Sequence, residues 1–147
     1  MRRSQLTFAA LLAVTTLLMS ATLVGAVGGR TFVIPLSGAD PEGTGTAVIR
    51  VNPGTQEVCY TINVSGIGTP TEPAAGLGAA HIHDVATGGI FVDLETNWTA
   101  TATGFMTSGC TTADREDLIA LLLDPSAYYV NIHTTEFPTG AIQGSLG

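Results

Sequence analysis

The chain has 147 residues, with 12 acidic side chains, five arginines and no lysine, which gives a formal net charge of −7. Nucleic acids and anionic lipid surfaces require a basic footprint, so this composition disfavours both as partners. The length allows one domain with a sizeable core once the N-terminal segment is set aside.

The N-terminal segment predicts a secretory signal peptide over residues 1–26. Two arginines precede an apolar run that ends at Leu18, and small residues follow as far as Ala26. This order is typical of an export signal that is cleaved, here after Ala26. The alternative is a retained membrane anchor, but the apolar run is short for a bilayer span. We therefore expect a mature chain of residues 27–147 that has no membrane span and is secreted, periplasmic or attached to the cell surface.

Beyond the signal, short bursts of β-branched and aromatic residues are separated by Gly, Pro, Asn and Thr, a rhythm typical of all-β domains. The first predicted strands are Thr31–Leu36, Thr46–Val51 and Val58–Ser65. Residues 52–56 contain Pro53 and Gly54 and predict a turn, so the second and third strands should form a hairpin. Residues 66–78 are rich in Gly, Pro and Thr and predict an irregular connection.

The second half of the chain continues the same pattern. Its predicted strands are Ala79–Asp84, Gly89–Leu94, a short strand near Ala102–Met106, Tyr128–Thr134 and Gly140–Leu146. One short helix is predicted at about 114–123, with Asp114 or a neighbouring threonine as its N-cap and Pro125 ending it. About eight short strands and one helix predict an all-β fold, either a Greek-key β-sandwich or a barrel.

Cys59 and Cys110 are the only cysteines of the chain. An exported protein folds in an oxidising compartment, so a single Cys59–Cys110 disulfide is the natural prediction. The alternative is two free thiols that join a metal site.

The chain has three histidines, which lie in two compact blocks. In an extended strand, residues two apart point to the same face, so His81 and His83 project together while Ile82 points away. By the same rule the side chains of His133 and Ile132 point to opposite faces. If the apolar residues face the core, the histidines lie on the outer face of a sheet, where a ligand site needs a lid. The connections long enough to supply a lid are residues 66–78 and 95–110.

Three neutral imidazoles on a rigid sheet are a candidate metal site formed by His81, His83 and His133. Imidazole ligands suit copper or zinc better than calcium or magnesium, and three of them leave a fourth position open. Asp84 and Glu136 are the nearest carboxylates in sequence and are candidates for additional ligands or for orienting a histidine. The alternative is that the three histidines are structural and hydrogen-bond only to neighbouring strands and loops.

Several stretches of the chain resemble the chordin-type domain, CHRD. The matching stretches are Gly45-Thr46-Ala47, Val58–Gly66, Ala79–His83, Ser108-Gly109-Cys110 and Tyr128–Leu146. The resemblance covers about residues 31–147, and we expect one CHRD domain over residues 27–147. It implies a secreted, mostly β module of the kind found singly in bacterial exported proteins and repeated in animal antagonists of bone morphogenetic proteins. The resemblance implies no catalytic activity. The segment after His83 is shorter and less glycine-rich than is usual in the family.

A fainter similarity is to Cu/Zn superoxide dismutase, a Greek-key β-sandwich whose copper site lies outside the barrel under loops. His81 and His83 are similar to its His-x-His strand. The chain lacks the further histidines of a dinuclear site, so the similarity supports a mononuclear site and does not support dismutase activity.

These observations define three hypotheses. The first is a secreted, non-enzymatic CHRD module that binds an extracellular protein or matrix component, with a metal stabilising the histidine face. The second is a mononuclear copper or zinc protein, either redox-active or a metal carrier. The third is a structural cell-surface protein whose histidines bind no metal. No catalytic residue is assigned under any of the three.

Overall fold

The computed structural model describes residues 29–147, so the predicted signal peptide lies outside the described residues. Nine strands, one α-helix and one 3-10 turn follow each other along the chain. The elements are β1 Arg30–Leu36, β2 Thr44–Asn52, β3 Glu57–Ser65, β4 Ala80–Asp84, β5 Ile90–Asp93, β6 Thr99–Ala100, β7 Gly104–Thr112, α1 Arg115–Leu123, the 3-10 turn Pro125–Ala127, β8 Tyr128–Ile132 and β9 Ile142–Ser145.

The strands form two antiparallel sheets. The five-stranded sheet has the order β1-β2-β3-β7-β6, and the four-stranded sheet has the order β5-β4-β8-β9. The predicted hairpin is confirmed, since β2 and β3 pair along their whole lengths from Thr44↔Ser65 to Asn52↔Glu57. The connections from β3 to β4, from β5 to β6 and from β7 to β8 each pass from one sheet to the other.

The hydrophobic core lies between the two sheets. Alternate residues of each strand face it, which follows from the two-residue period of side chains along a strand. Alternation predicts that Ile82 and Ile132 face the core, and neither has exposed surface. The sheets remain open and no barrel closes within residues 29–147. The prediction of an all-β sandwich with one short helix is therefore confirmed, and the barrel alternative is not the one adopted.

The helix α1 forms where the sequence predicted it. Asp114 is at the N-cap position, although its side chain makes no capping hydrogen bond, and Glu116 and Asp117 lie in the first turn. Negative charge there is favourable because the helix N-terminus carries partial positive charge. Leu118 and Leu121 are buried against the sandwich. No helix within residues 29–147 combines the length and hydrophobicity that a membrane span needs.

The strand predicted near Ala102–Met106 is longer than expected. It runs from Gly104 to Thr112, and its nine residues all pair with β3. A two-residue strand, Thr99–Ala100, precedes it and was not predicted. The two glycines of β7 weaken its strand signal although its threonines favour strands, so its extent is determined by the ladder it forms with β3.

The predicted disulfide joins Cys59 of β3 to Cys110 of β7, and the two cysteines are direct cross-strand partners. No free cysteine remains within the described chain. Both half-cystines lie on the outer face of the five-stranded sheet, where Cys110 is exposed and the Arg50 guanidinium lies 3.5 Å from the Cys59 sulfur. The alternative in which thiols join the metal site is therefore wrong.

Candidate metal centre

The strands β4 and β8 carry the histidine blocks side by side in the four-stranded sheet. Their antiparallel register pairs His81 with Asn131 and His83 with Tyr129, and His133 follows β8 directly. The pairing of β4 with β5 shifts by one residue between Ile82 and His83. Such bulges are frequent beside functional sites, because they change the direction of a side chain.

The three histidines meet on the face of the sheet that points away from the core. One ring nitrogen from each of His81, His83 and His133 lies within 4.8 Å of the others. The ring centroids are 5.0 Å apart for His81 and His133, and 5.5 Å apart for His81 and His83. Their exposed fractions are 0% for His81, 8% for His83 and 4% for His133. This outer face is therefore buried.

Two loops cover the histidines. The connection between β3 and β4 crosses the cluster, since the Thr71 amide donates to the His133 carbonyl oxygen at 3.0 Å and Pro70 forms a β-bridge with Thr134. The segment of residues 134–140 turns back over the end of β8. Of the two predicted lids, residues 66–78 take this position, whereas residues 95–110 largely form β6 and β7 in the other sheet.

Backbone carbonyls fix the ring orientation of two histidines. The Nδ1 atom of His83 lies 3.1 Å from the Gly88 carbonyl oxygen, and the Nδ1 atom of His133 lies 3.0 Å from the Pro138 carbonyl oxygen. A carbonyl oxygen only accepts hydrogen bonds, so both Nδ1 atoms carry the proton. In the neutral rings, Nε2 then carries the lone pair. Metal-binding histidines are commonly oriented by such carbonyl contacts.

His81 contacts both its neighbouring histidine and a carboxylate. Its Nδ1 atom lies 3.1 Å from Nε2 of His133, and its Nε2 atom lies 3.7 Å from Oδ1 of Asp93 on β5. The Asp93 carboxylate also accepts hydrogen bonds from the amides of Gly78 and Glu95. Asp93 thus connects the covering loop to the site.

Asp93 is not among the site residues predicted from the sequence. Its strand was predicted, because residues 89–94 follow the strand of His81 after a short turn. The register of that pair, which puts Asp93 directly opposite His81, is known only from the structure.

Several buried polar atoms of the site have no hydrogen-bond partner within residues 29–147. They are Nε2 of His81, Nε2 of His83 and Oδ1 of Asn131. Buried polar side-chain atoms are paired in the large majority of native structures. An unpaired group of this kind costs about 1–3 kcal/mol. Three such atoms on one sheet face leave hydrogen-bonding and ligand capacity unused there.

Burial favours the neutral form of two of the histidines, His81 and His133. Loss of hydration and, to a smaller extent, the nearby His133 lower the pKa of His81 to about 4, while the Asp93 carboxylate acts in the opposite direction. Burial likewise lowers the pKa of His133, against a smaller raising effect of its hydrogen bond to Pro138. Neutral imidazole is the form that binds metals, so the site is ready to act as a ligand set at neutral pH.

The predicted additional ligands lie elsewhere. The Asp84 carboxylate accepts hydrogen bonds from the Thr87 amide and hydroxyl, at 2.8 and 3.1 Å, in the turn after β4. Glu136 is exposed on the covering segment. Neither belongs to the group of ligand atoms formed by the three histidines.

The spacing of the nitrogens suits a small metal ion. Two nitrogens bound to one zinc at about 2.0–2.1 Å lie roughly 3.3 Å apart at a tetrahedral angle. The 3.1 Å between His81 Nδ1 and His133 Nε2 is close to that value. The largest separation in the group is greater, so an ion shared by all three requires a small inward rotation of a side chain. Three neutral nitrogens without thiolate suit zinc or copper.

The fold and this site define a disulfide-linked β-sandwich that carries a buried three-histidine cluster under its loops. The CHRD domain model matches residues 25–146, and the chain belongs to the CHRD family. Comparison with curated proteins and with solved structures finds no match.

Proposed function

We propose that this chain is an exported, non-enzymatic CHRD module that holds one copper or zinc ion between His81, His83 and His133. The observation that carries the proposal is the convergence of one ring nitrogen from each histidine within 4.8 Å, in a site closed to solvent. Burial lowers the pKa of His81 and of His133, so neither ring carries an extra proton that a cation would have to displace at neutral pH.

The hydrogen-bonding pattern favours a metal over a purely structural role. Histidines that only tie loops together should have both ring nitrogens paired. Here the Nε2 atoms of His81 and His83 are buried without a partner. In the metal-free site His81 Nδ1 donates to His133 Nε2. If His81 binds the ion through Nδ1, its proton moves to Nε2 and faces the Asp93 carboxylate, which is a common arrangement around protein-bound zinc. Each ring then has one nitrogen toward the ion and the other toward an oxygen.

The low exposure of the cluster supports binding without catalysis. A catalytic metal keeps a position open to water or substrate, whereas the most accessible ligand here, His83, is only 8% exposed. Export is supported by the signal-like sequence of residues 1–26 and by the disulfide, which forms in oxidising compartments. A module of this kind presents its outer surface to an extracellular protein or matrix component, and the ion stabilises the fold of the loops.

The direct test is metal analysis of the chain of residues 27–147, produced without a histidine tag. After metal removal with a chelator, the protein is titrated separately with zinc and with copper under reducing and oxidising conditions. We expect one equivalent to bind and the midpoint of thermal unfolding to rise, because a ligand of the folded state stabilises it. Absence of bound metal, together with an unchanged unfolding midpoint for both ions, contradicts the proposal.

A further inference from the structure

Backbone segments held by hydrogen bonds border the histidine cluster near His133 and near His83. At His133, the connection between β3 and β4 is held by a backbone hydrogen bond from the Thr71 amide to the His133 carbonyl oxygen. Beside His83, the turn after β4 is held by the contact of its ring with the Gly88 carbonyl oxygen. Opening the site on these sides requires several hydrogen bonds to break together.

On β8, next to His83, the cluster is bordered by one side chain. Tyr129 is the cross-strand partner of His83, and its ring stacks on the His83 ring with centroids 5.2 Å apart and planes inclined by 18°. Tyr129 is partly exposed, and His83 is the most exposed of the three histidines. Displacement of this partly exposed side chain breaks no backbone hydrogen bond, so this side opens more easily than the other two.

Tyr129 also faces an open cavity on its other side. The cavity has a volume of about 540 Å³ and is lined by Ser37, Val85, Tyr129, Gln143, Gly144 and Ser145. Its polar side chains come from β9 and the residue after β1, and none of these lining residues carries a charge. The cavity therefore imposes no charge barrier on an approaching cation or on a neutral chelator.

We infer that the metal ion enters and leaves the three-histidine site past Tyr129, from the cavity between Val85 and Ser145, and that the Tyr129 ring limits the rate of exchange. This inference rests on the proposed function, because it concerns the same ion and the same ligands. It goes beyond that function by assigning one route and one side chain that controls it. Tyr129 is a covering residue and not a ligand, so its loss should change the rates of binding and release more than the affinity.

The test measures zinc release from the loaded chain into an excess of a colorimetric chelator by stopped-flow mixing, and zinc uptake by the metal-free chain. In Tyr129→Ala, we expect both rates to rise about tenfold, as for a barrier lowered by one power of ten, while the dissociation constant changes by less than about threefold. Tyr129→Phe retains the ring and is the matched control, with wild-type rates expected. Tyr129→Trp covers the site with a larger ring and should exchange at least about threefold more slowly.

The outcomes separate the two proposals. A wild-type chain that takes up no zinc contradicts the proposed function itself. If the wild type binds zinc and the folded Tyr129→Ala and Tyr129→Trp variants exchange it at the wild-type rate, only the route past Tyr129 is wrong. Should Tyr129→Ala fail to give the wild-type circular dichroism spectrum, Tyr129→Trp alone decides, since slower exchange supports the route and an unchanged rate overturns it.

Discussion

The two sheets of the sandwich use their outer faces in different ways. On the five-stranded sheet the outer face is open, with Val33 70% exposed and Thr61 exposed. On the four-stranded sheet, loops cover the outer face at β4, so that this strand is buried on both faces along most of its length. The core-facing sides of both sheets are apolar, so the two sheets differ in whether the outer face is exposed or covered.

The stabilising devices differ accordingly. The open face carries a covalent link, the Cys59–Cys110 disulfide. The covered face carries polar side chains that must find partners because water cannot reach them. Carbonyl oxygens of Gly88 and Pro138 supply some of these partners. The Nε2 atoms of His81 and His83 have no hydrogen-bond partner within the described residues. Burial of polar groups, rather than their presence on the surface, is what distinguishes the candidate metal centre from the rest of the molecule.

Removing a candidate ligand from the covered face should have the largest effect on metal affinity. For His83→Ala we expect zinc or copper affinity to fall about a thousandfold, on the order of 4 kcal/mol, because two remaining imidazoles hold a divalent ion weakly. Isothermal titration calorimetry measures the change. Thr61→Ala, on the open face, is the control and should bind metal as the wild type does. Equal affinities in the two variants would show that His83 is not a ligand.

Breaking the covalent link should affect the other sheet. Replacing both half-cystines, Cys59→Ser with Cys110→Ser, should lower the free energy of unfolding by about 2–4 kcal/mol, because the unfolded chain is no longer constrained by the loop. Denaturant unfolding measures this loss. Metal affinity should stay at the wild-type value, since the disulfide and the histidines belong to different sheets. A parallel loss of metal affinity would mean that the two sheets are not independent.

Acid should destabilise the metal-free protein because the buried histidines of the covered face become protonated. In the folded chain the pKa of His81 is about 4, below its ordinary value of 6.5. Between these values the unfolded chain binds a proton that the folded chain does not, so stability is complete above pH 6.5 and falls as the pH drops toward 4. The expected loss is on the order of 3 kcal/mol.

Denaturant unfolding of the metal-free chain at several pH values measures this loss. His81→Gln removes one of the two rings whose pKa is lowered and should reduce the loss over the same interval, while His133 retains a part of it. If wild type and His81→Gln lose stability equally between pH 6.5 and 4, His81 is not the responsible group.

The contrast between the sheets also explains how far the sequence could be interpreted. Where one face is apolar and the other open, alternation predicted strands well, as for the hairpin of β2 and β3. Alternation likewise placed His81 and His83 on one side, opposite Ile82. It reports the direction of a side chain, however, and not what covers it. Burial of the histidines depends on loop residues such as Thr71 and Pro138, whose positions follow from long-range contacts.

Register was the second thing that local patterns could not supply. The contact of Asp93 with His81 arises because β5 lies beside β4 with a one-residue shift. Conversely, Asp84 is adjacent to His83 in sequence, but its carboxylate accepts hydrogen bonds within its own turn. Closeness along the chain was thus a poor guide to the carboxylate of the site, since neighbouring residues of a strand point in opposite directions.

A smaller effect tests whether Asp93 acts as the orienting carboxylate. Asp93→Asn keeps the shape of the side chain and an oxygen that can accept from the Gly78 amide, but removes the charge that faces His81. We expect metal affinity to fall about 10–100-fold, as is typical when the partner behind a ligand histidine is lost. Glu57→Gln removes the same charge from the five-stranded sheet and should leave the affinity unchanged.

The pair of variants separates a local role from a general electrostatic one. If both lower the affinity to the same extent, the overall negative charge of the chain attracts the ion, and Asp93 has no special position. If only Asp93→Asn does so, the carboxylate acts through the His81 ring, and the effect should disappear in a background that already carries His81→Gln. Such non-additivity is the signature of two groups that act on one ligand.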